Sequence, residues 1–379
     1  MTGPRILIIT SNTGGGHHSL ALAIRESLLQ LAPQAQVVIA DIFAHLPFPL
    51  SRVGRLYGPV VQYSRGLWQL LWYLTKSPDK AEWLIKAIAP LARPTLRNLL
   101  RKQCPDAVVS VHSLCVHALA QARQELGLLI PQVTVVLDLV NIHPTWGCPT
   151  VDCCVVPTEP ARQQILRYGI PAERVRLLGL PVGGRFRPMR GGEKQQLRRQ
   201  LNLDVEQPVA LLVGGGEGIG PLEEITQAVA MALAAEGHGQ LVIICGRNEH
   251  LRQQLARRMW PIPVTVQGFV TNMPDWMGAA DLIITKAGPS TIAEALVVGL
   301  PILLCGFIPG QEEGNVPFVV EQGAGVYVEK PTEIARRVGE WLRPGNPMLV
   351  QMAARARALG RPAAAAAVAE EILRLLPIR

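Results

Sequence analysis

The chain has 379 residues, 49% of them apolar and 17% charged, with 37 Lys and Arg against 29 Asp and Glu for a net charge of +8. That length exceeds what one hydrophobic core fills, so two domains are expected, and the composition excludes a disordered chain. The positive balance favours an anionic partner, while seven cysteines without paired spacing argue against a zinc site or disulfide framework and suit reduced thiols.

Residues 6–9 form an apolar run too short for a signal-peptide core, and the uncharged stretches fall short of the ~18 residues needed to span a bilayer. Any membrane association is therefore expected at the surface. Strand-like runs at 6–10, 37–40, 107–111, 133–138, 154–156 and 175–178 alternate with helical patterns, the first of them over 17–31. This alternation predicts a parallel sheet covered by helices. A segment rich in Gly, Pro and Arg at 180–193 predicts the linker, giving domains at 1–185 and 192–379. Beyond it the pattern restarts with strands at 209–213, 241–245, 264–266, 282–285 and 302–305, then a helical tail over 332–376. The economical fold class is α/β, two tandem Rossmann-like domains.

Residues 51–102 interrupt this rhythm. They hold ten basic residues against Asp79 and Glu82, together with Trp68, Trp72, Trp83, Tyr57, Tyr63 and Tyr73. Basic groups attract anionic headgroups and Trp and Tyr favour the water–hydrocarbon boundary, so the segment suits a peripheral membrane surface. The competing reading is a helical insertion whose aromatics are core. Without a nucleic-acid-binding motif beside the charge, no nucleic-acid partner is expected.

Four segments carry the chemistry. Ser11-Asn12-Thr13-Gly14-Gly15-Gly16-His17-His18 lies between a strand and a helix, where glycine amides approach a ligand and His17 could take a proton from a hydroxyl. Gly214 to Gly220 places five glycines in seven residues at a second strand-to-helix turn, where Gly216 suits a diphosphate and Glu217 a turn or sugar-side position. Residues 285–296 follow a strand and offer Lys286, then Ser290 and Thr291 at a helix start, then Glu294, whose carboxylate could accept both ribose hydroxyls; capping is the bland alternative for Ser290 and Glu294. Residues 307–315 form a polar loop in which Gln311 and Glu312 offer groups for sugar hydroxyls. No Asp-x-Asp occurs among the eight aspartates, so no metal is expected at the diphosphate.

Together the Gly-Gly-Gly-His turn, the segments 283–296 and 308–320, and the first-domain runs Val136-Leu137-Asp138-Leu139, His143-Pro144-Thr145-Trp146 and Val156-Pro157-Thr158-Glu159 resemble the monogalactosyldiacylglycerol synthases over most of the chain. The broader likeness is to diacylglycerol glucosyltransferases and the peptidoglycan-precursor N-acetylglucosaminyltransferase. Asn12 and Ser290 depart from the family's usual residues. The resemblance implies a GT-B fold with a cleft between the domains, and an inverting transfer of galactose from UDP-galactose to 1,2-diacylglycerol. UDP-glucose stays open as donor, and a UDP-sugar epimerase or a binding module are the competing classes. By resemblance His17 is the base, Phe269 lies by the uracil, Glu294 holds the ribose, Gln311 and Glu312 hold the sugar, and Gly14, Gly15, Gly16 and Trp146 belong to the acceptor side. The UDP-sugar is a substrate and no cofactor is implied; the partners are the nucleotide sugar, diacylglycerol and an anionic membrane, on whose cytoplasmic face the protein is expected to lie peripherally.

Overall fold

The structure is a computed structural model describing residues 3–11, 15–46, 51 and 65–377. Gly14 and Asn12 of the first glycine turn, and Tyr57 and Tyr63 of the aromatic segment, lie outside the described residues. The chain divides into two compact units, the first made of Met1–Gly184, Pro309–Gly314 and Ala363–Arg379 and the second of Arg185–Ile308 and Asn315–Pro362.

The first unit begins with β1 (Arg5–Thr10), α1 (Gly16–Leu31), β2 (Gln36–Asp41) and the short α2 (Ile42–His45). α1 buries Leu20, Ile24, Ser27 and Leu28, the one-sided spacing of a helix covering a sheet. α3 (Arg65–Thr75) and the long α4 (Pro78–Gln103) follow, then β3 (Ala107–Ser110), α5 (Ser113–Glu125), β4 (Gln132–Val135), β5 (Cys153–Val156), α6 (Glu159–Arg167) and β6 (Val175–Leu177). The sheet order is β2-β1-β3-β4-β5-β6, parallel throughout. β3, β4 and β5 are buried along their whole length, as parallel strands covered on both faces must be. Leu96, Leu99 and Leu100 of α4 join Leu7, Ile9, Val108 and Leu119 in one core.

The second unit comprises α7 (Glu193–Gln200), β7 (Val209–Val213), α8 (Leu222–Glu236), β8 (Gln240–Ile244), α9 (Glu249–Ala256), β9 (Val264–Gln267), α10 (Met273–Ala279), β10 (Leu282–Thr285), α11 (Pro289–Val298), β11 (Ile302–Leu304), α12 (Asn315–Glu321), β12 (Gly325–Tyr327), α13 (Pro331–Trp341) and α14 (Pro347–Leu359). Its strand order is β12-β11-β10-β7-β8-β9, again all parallel. α13 and α8 pack together over the core of Leu212, Val229, Ile243 and Val338.

Three details differ from the sequence expectation. The tail does not stay with the second unit: α15 (Ala364–Arg374) packs on α1, and Glu371 accepts a hydrogen bond from Arg176 at 3.1 Å. The strand expected over 133–138 stops at Val135; the Val136 N–H still donates to the Val155 carbonyl at 2.9 Å, and Asp138 beyond it receives the indole N–H of Trp146 at 2.8 Å. β12 was not anticipated, since three residues after a glycine turn are too short for an alternation pattern. Among the described residues no helix is long and apolar enough to cross a membrane.

One ion network fixes the start of the second sheet. The buried Arg198 donates to Asp281 at 2.6 Å and to the carbonyls of Ala279 and Val205 at 3.0 Å, while Asp281 also receives Lys194 at 2.8 Å and the Val209 N–H at 2.7 Å. Arg198→Ala removes one of the three partners of Asp281 and leaves two carbonyls without their donor, so it is expected to cost about 1–3 kcal/mol. A urea titration following the second unit's transition checks this, and a loss within 0.5 kcal/mol, about what a surface change produces, would refute it.

Candidate active site

In a parallel sheet every strand delivers its C-terminal end to the same edge. The crevice there opens where successive connections run to opposite sides, which is between β1 and β3 in the first unit and between β7 and β10 in the second. The described residues of the four segments singled out for chemistry lie at or just beyond these edges.

In the first unit, the turn after β1 passes through Gly15 at φ +85° and starts α1 at Gly16, which puts His17 in the first turn of the helix. Its Nδ1–H donates to the carbonyl of Val111, just beyond β3, at 2.6 Å. That bond fixes the tautomer and leaves Nε2 carrying the lone pair, without another hydrogen bond among the described residues. Burial pulls the His17 pKa down to about 4, partly countered by the Val111 bond, so the imidazole is neutral at pH 7. His18 is exposed. The ring of His112 lies 4.5 Å from that of His17, with Phe43 edge-on to it at 5.7 Å. Sequence reasoning missed His112, whose only signal is its place directly after a buried strand.

Beyond β4, Asp138 is buried, and burial raises its carboxyl to about 6 against the opposing hydrogen bonds from Trp146 and Gln311, with nearby Glu312 raising it further. Trp146, expected on the acceptor side, is 1% exposed and donates its indole N–H to Asp138 at 2.8 Å. Gln311 Nε2 approaches Asp138 Oδ1 at 3.5 Å, and Glu312 is buried, so the two expected sugar ligands stand together in the first unit.

In the second unit the glycine turn after β7 is laced to the loop after β8. Gly218 has φ +63°, and a Cβ there would overlap the Cys245 carbonyl, so this glycine is required for the loops to meet. The Arg247 N–H donates to the Gly216 carbonyl at 2.9 Å. Glu217 is bound to Arg247 at 2.6 Å, which makes it an ion-pair partner within the turn; the same guanidinium lies 4.7 Å from the ring of the exposed Phe269. Arg247 was another residue not singled out from the sequence.

Across the switch point, α11 is capped by Gly288 with Pro289 at its first position. Ser290 is therefore not the cap, and the amides of Ser290 and Thr291 lie in the first turn, where a helix has no intrahelical acceptors to offer. Lys286 sits beside the glycine turn, its Cε 3.6 Å from the point a Gly215 Cβ would occupy. Two strand-to-helix turns, first-turn amides and a lysine at one crevice suit a diphosphate. Glu294 is half-buried one turn further on, without a hydrogen bond or ion pair among the described residues, and burial lifts its carboxyl to about 8.

The family model described as "Monogalactosyldiacylglycerol (MGDG) synthase" matches residues 17–182, and "Glycosyltransferase family 28 C-terminal domain" matches residues 209–369. Monogalactosyldiacylglycerol synthase 1, chloroplastic, of Arabidopsis thaliana is 40% identical over 370 residues, covering 95% of this chain and 69% of the relative. The spinach (Spinacia oleracea) monogalactosyldiacylglycerol synthase, chloroplastic, is also 40% identical, over 94% of this chain and 70% of that one. Among solved structures, Acinetobacter baumannii MurG aligns with a TM-score of 0.62 at 18% identity, over 98% of this chain and 99% of that chain. The S. aureus MnaA–UDP structure aligns with a TM-score of 0.63 at 15% identity, over 98% and 97%. At these identities the structures speak for the fold, two Rossmann-like domains of the GT-B kind. With 40% identity reaching over two thirds of the named relatives, the chain belongs to the monogalactosyldiacylglycerol synthase family.

Proposed function

We propose that the chain transfers galactose from UDP-galactose to the free hydroxyl of 1,2-diacylglycerol with inversion at the anomeric carbon. The observation that carries this is His17: Nδ1 is committed to Val111, and a neutral Nε2 remains as base in a glycine turn. Nε2 takes the hydroxyl proton as the oxygen attacks the anomeric carbon, the bond from that carbon to the UDP oxygen breaks, and UDP departs with the electron pair. The amides at the start of α11, Lys286 and the turn at Gly216 supply positive potential for the leaving diphosphate. Gln311 and Glu312 hold the sugar hydroxyls, Glu294 the ribose, and Phe269 borders the uracil through its main chain. The relatives' printed names support both the sugar and the lipid.

We further propose attachment at a membrane surface through α3 and α4. Trp72 and Trp68 are half-buried, so the exposed apolar groups are Leu70, Leu71, Tyr73 and Leu74 of α3 with Trp83, 71% exposed, and Leu91 of α4. Lys76, Lys80 and Lys86 are exposed nearby in sequence, a pairing that suits anionic lipid. Seven free thiols suit a reducing compartment, which supports the cytoplasmic side.

The first set of expected outcomes concerns the donor and the base. In an assay offering UDP-galactose and UDP-glucose with diacylglycerol vesicles, galactose transfer should dominate. His17→Ala should bind UDP as before yet lose roughly 10²–10⁴ in turnover, the usual share of general-base catalysis, with His18→Ala close to the parent. Because the His17 pKa is lowered to about 4, the parent's rate should hold from pH 7 to about 5 and fall only near 4; near-normal turnover of His17→Ala would end the mechanism.

Glu294 gives the second. Its carboxyl holds a proton below about pH 8 in the free protein, whereas two ribose hydroxyls stabilise the charged form. UDP binding at pH 7 should therefore release a proton, seen as a buffer-dependent heat in calorimetry, and affinity should rise as pH climbs towards 8. Glu294→Gln should abolish the release and weaken UDP about tenfold or more, a loss of ~1.5–3 kcal/mol. Identical heats in all buffers would contradict the ribose role.

Third, replacing Leu71, Leu74 and Trp83 with Ser should release the protein from anionic vesicles with UDP affinity intact, and salt should weaken the parent's binding. Vesicle binding by the triple variant equal to the parent's would count against this surface.

A further inference from the structure

α3 has a second set of neighbours besides its exposed leucines. Trp72 turns inward, its indole packed edge-on to His143 with centroids 5.0 Å apart. Gly310 lies directly against that indole at φ +80°, and a Cβ there would overlap the Trp72 ring. Asn141 Nδ2 donates to the Gly310 carbonyl at 2.6 Å. At the other end of the same segment, a Cβ on Gly314 would come within 2.5 Å of Asn141 Oδ1 and 2.7 Å of Val140 Cγ1. Between these two points Gln311 reaches Asp138. Behind them His143 Nε2–H donates to Thr75 Oγ1, at the end of α3, at 3.1 Å, and Thr75 donates onward to the Leu71 carbonyl at 2.8 Å.

Pro309–Gly314 is thus gripped at Gly310 and Gly314 by groups from α3 and from the chain leaving β4. A six-residue loop with two glycines has many conformations to lose, and hydroxyl recognition needs its donors and acceptors held in one of them. We infer that Trp72 and Asn141 are positioning residues for the donor sugar: they fix Pro309–Gly314 through Gly310, and so set Gln311 and Glu312, without touching the sugar. This rests on the proposed reading of Gln311 and Glu312 as its ligands. It also makes α3, whose Leu70, Leu71 and Leu74 are exposed, the strut of the loop that selects the sugar.

The test is calorimetric titration of UDP and, separately, UDP-galactose into the full chain and into Asn141→Ala, Trp72→Leu and Gly310→Ala, each checked by thermal melting, with kcat/KM for UDP-galactose and UDP-glucose alongside. The folded variants should bind UDP within twofold of the parent. They should bind UDP-galactose about tenfold more weakly, the worth of about one hydrogen bond, and prefer galactose to glucose less strongly. If Trp72→Leu melts early, Asn141→Ala carries the test, since it removes one hydrogen bond at a half-buried position. Unchanged UDP-galactose affinity and sugar preference in the folded variants overturns the inference while leaving the transferase reading in place. A parent that binds UDP but not UDP-galactose overturns the sugar-ligand reading, and the inference with it.

Discussion

Parallel pairing is the constraint from which the rest of the molecule follows. Every strand in both sheets runs the same way as its neighbours, so each link must return by a crossover, and all loops leaving the strands' C-terminal ends gather on one edge. The first strand of each unit sits inside its sheet, with β3 or β10 on one side and β2 or β8 on the other. The turn that follows each first strand therefore opens onto a crevice rather than being covered by a neighbouring crossover. Both first strands end in glycine-rich turns, and His17 and Gly216 occupy those turns for the same topological reason.

The second theme is the suppression of charge in the first unit's crevice. His17, His112 and His143 are all held below the ordinary histidine value by burial, and Asp138 is held above the ordinary carboxylate value. Neutral groups cost less to desolvate than charged ones, which suits the uncharged lipid hydroxyl proposed to enter this crevice. The second unit differs: Arg247 with Glu217, Lys286 and the start of α11 concentrate charge and dipole where a diphosphate is proposed.

Much of this was legible in the amino-acid sequence because its signals are local. Apolar runs of four to six residues mark buried strands, and glycine clusters between a run and a helical pattern mark the turns, so β1, β7 and β10 fall within a residue or two of expectation. What depends on distant partners was not legible. Trp146 reads as an acceptor-side residue and Trp72 as a membrane residue or core aromatic; that Asp138 takes the one's N–H and that Gly310 lies against the other's ring is visible only in the fold. Glu217 reads as a turn or sugar-side residue, and its ion pair is hidden because its partner, Arg247, comes 30 positions later. The same limit explains α15, whose alanine-rich pattern predicts a helix but not the surface it covers.

That last helix bears on how the protein is made. The first unit is built from Met1–Gly184, the short Pro309–Gly314 and Ala363–Arg379, with the whole of the second unit encoded between the first and last of these. During synthesis at ~5–20 residues per second, α1 emerges early but waits for some 330 residues before α15 can cover it. The part of α1 that α15 covers stays uncovered through that interval, while the second unit is almost continuous in sequence.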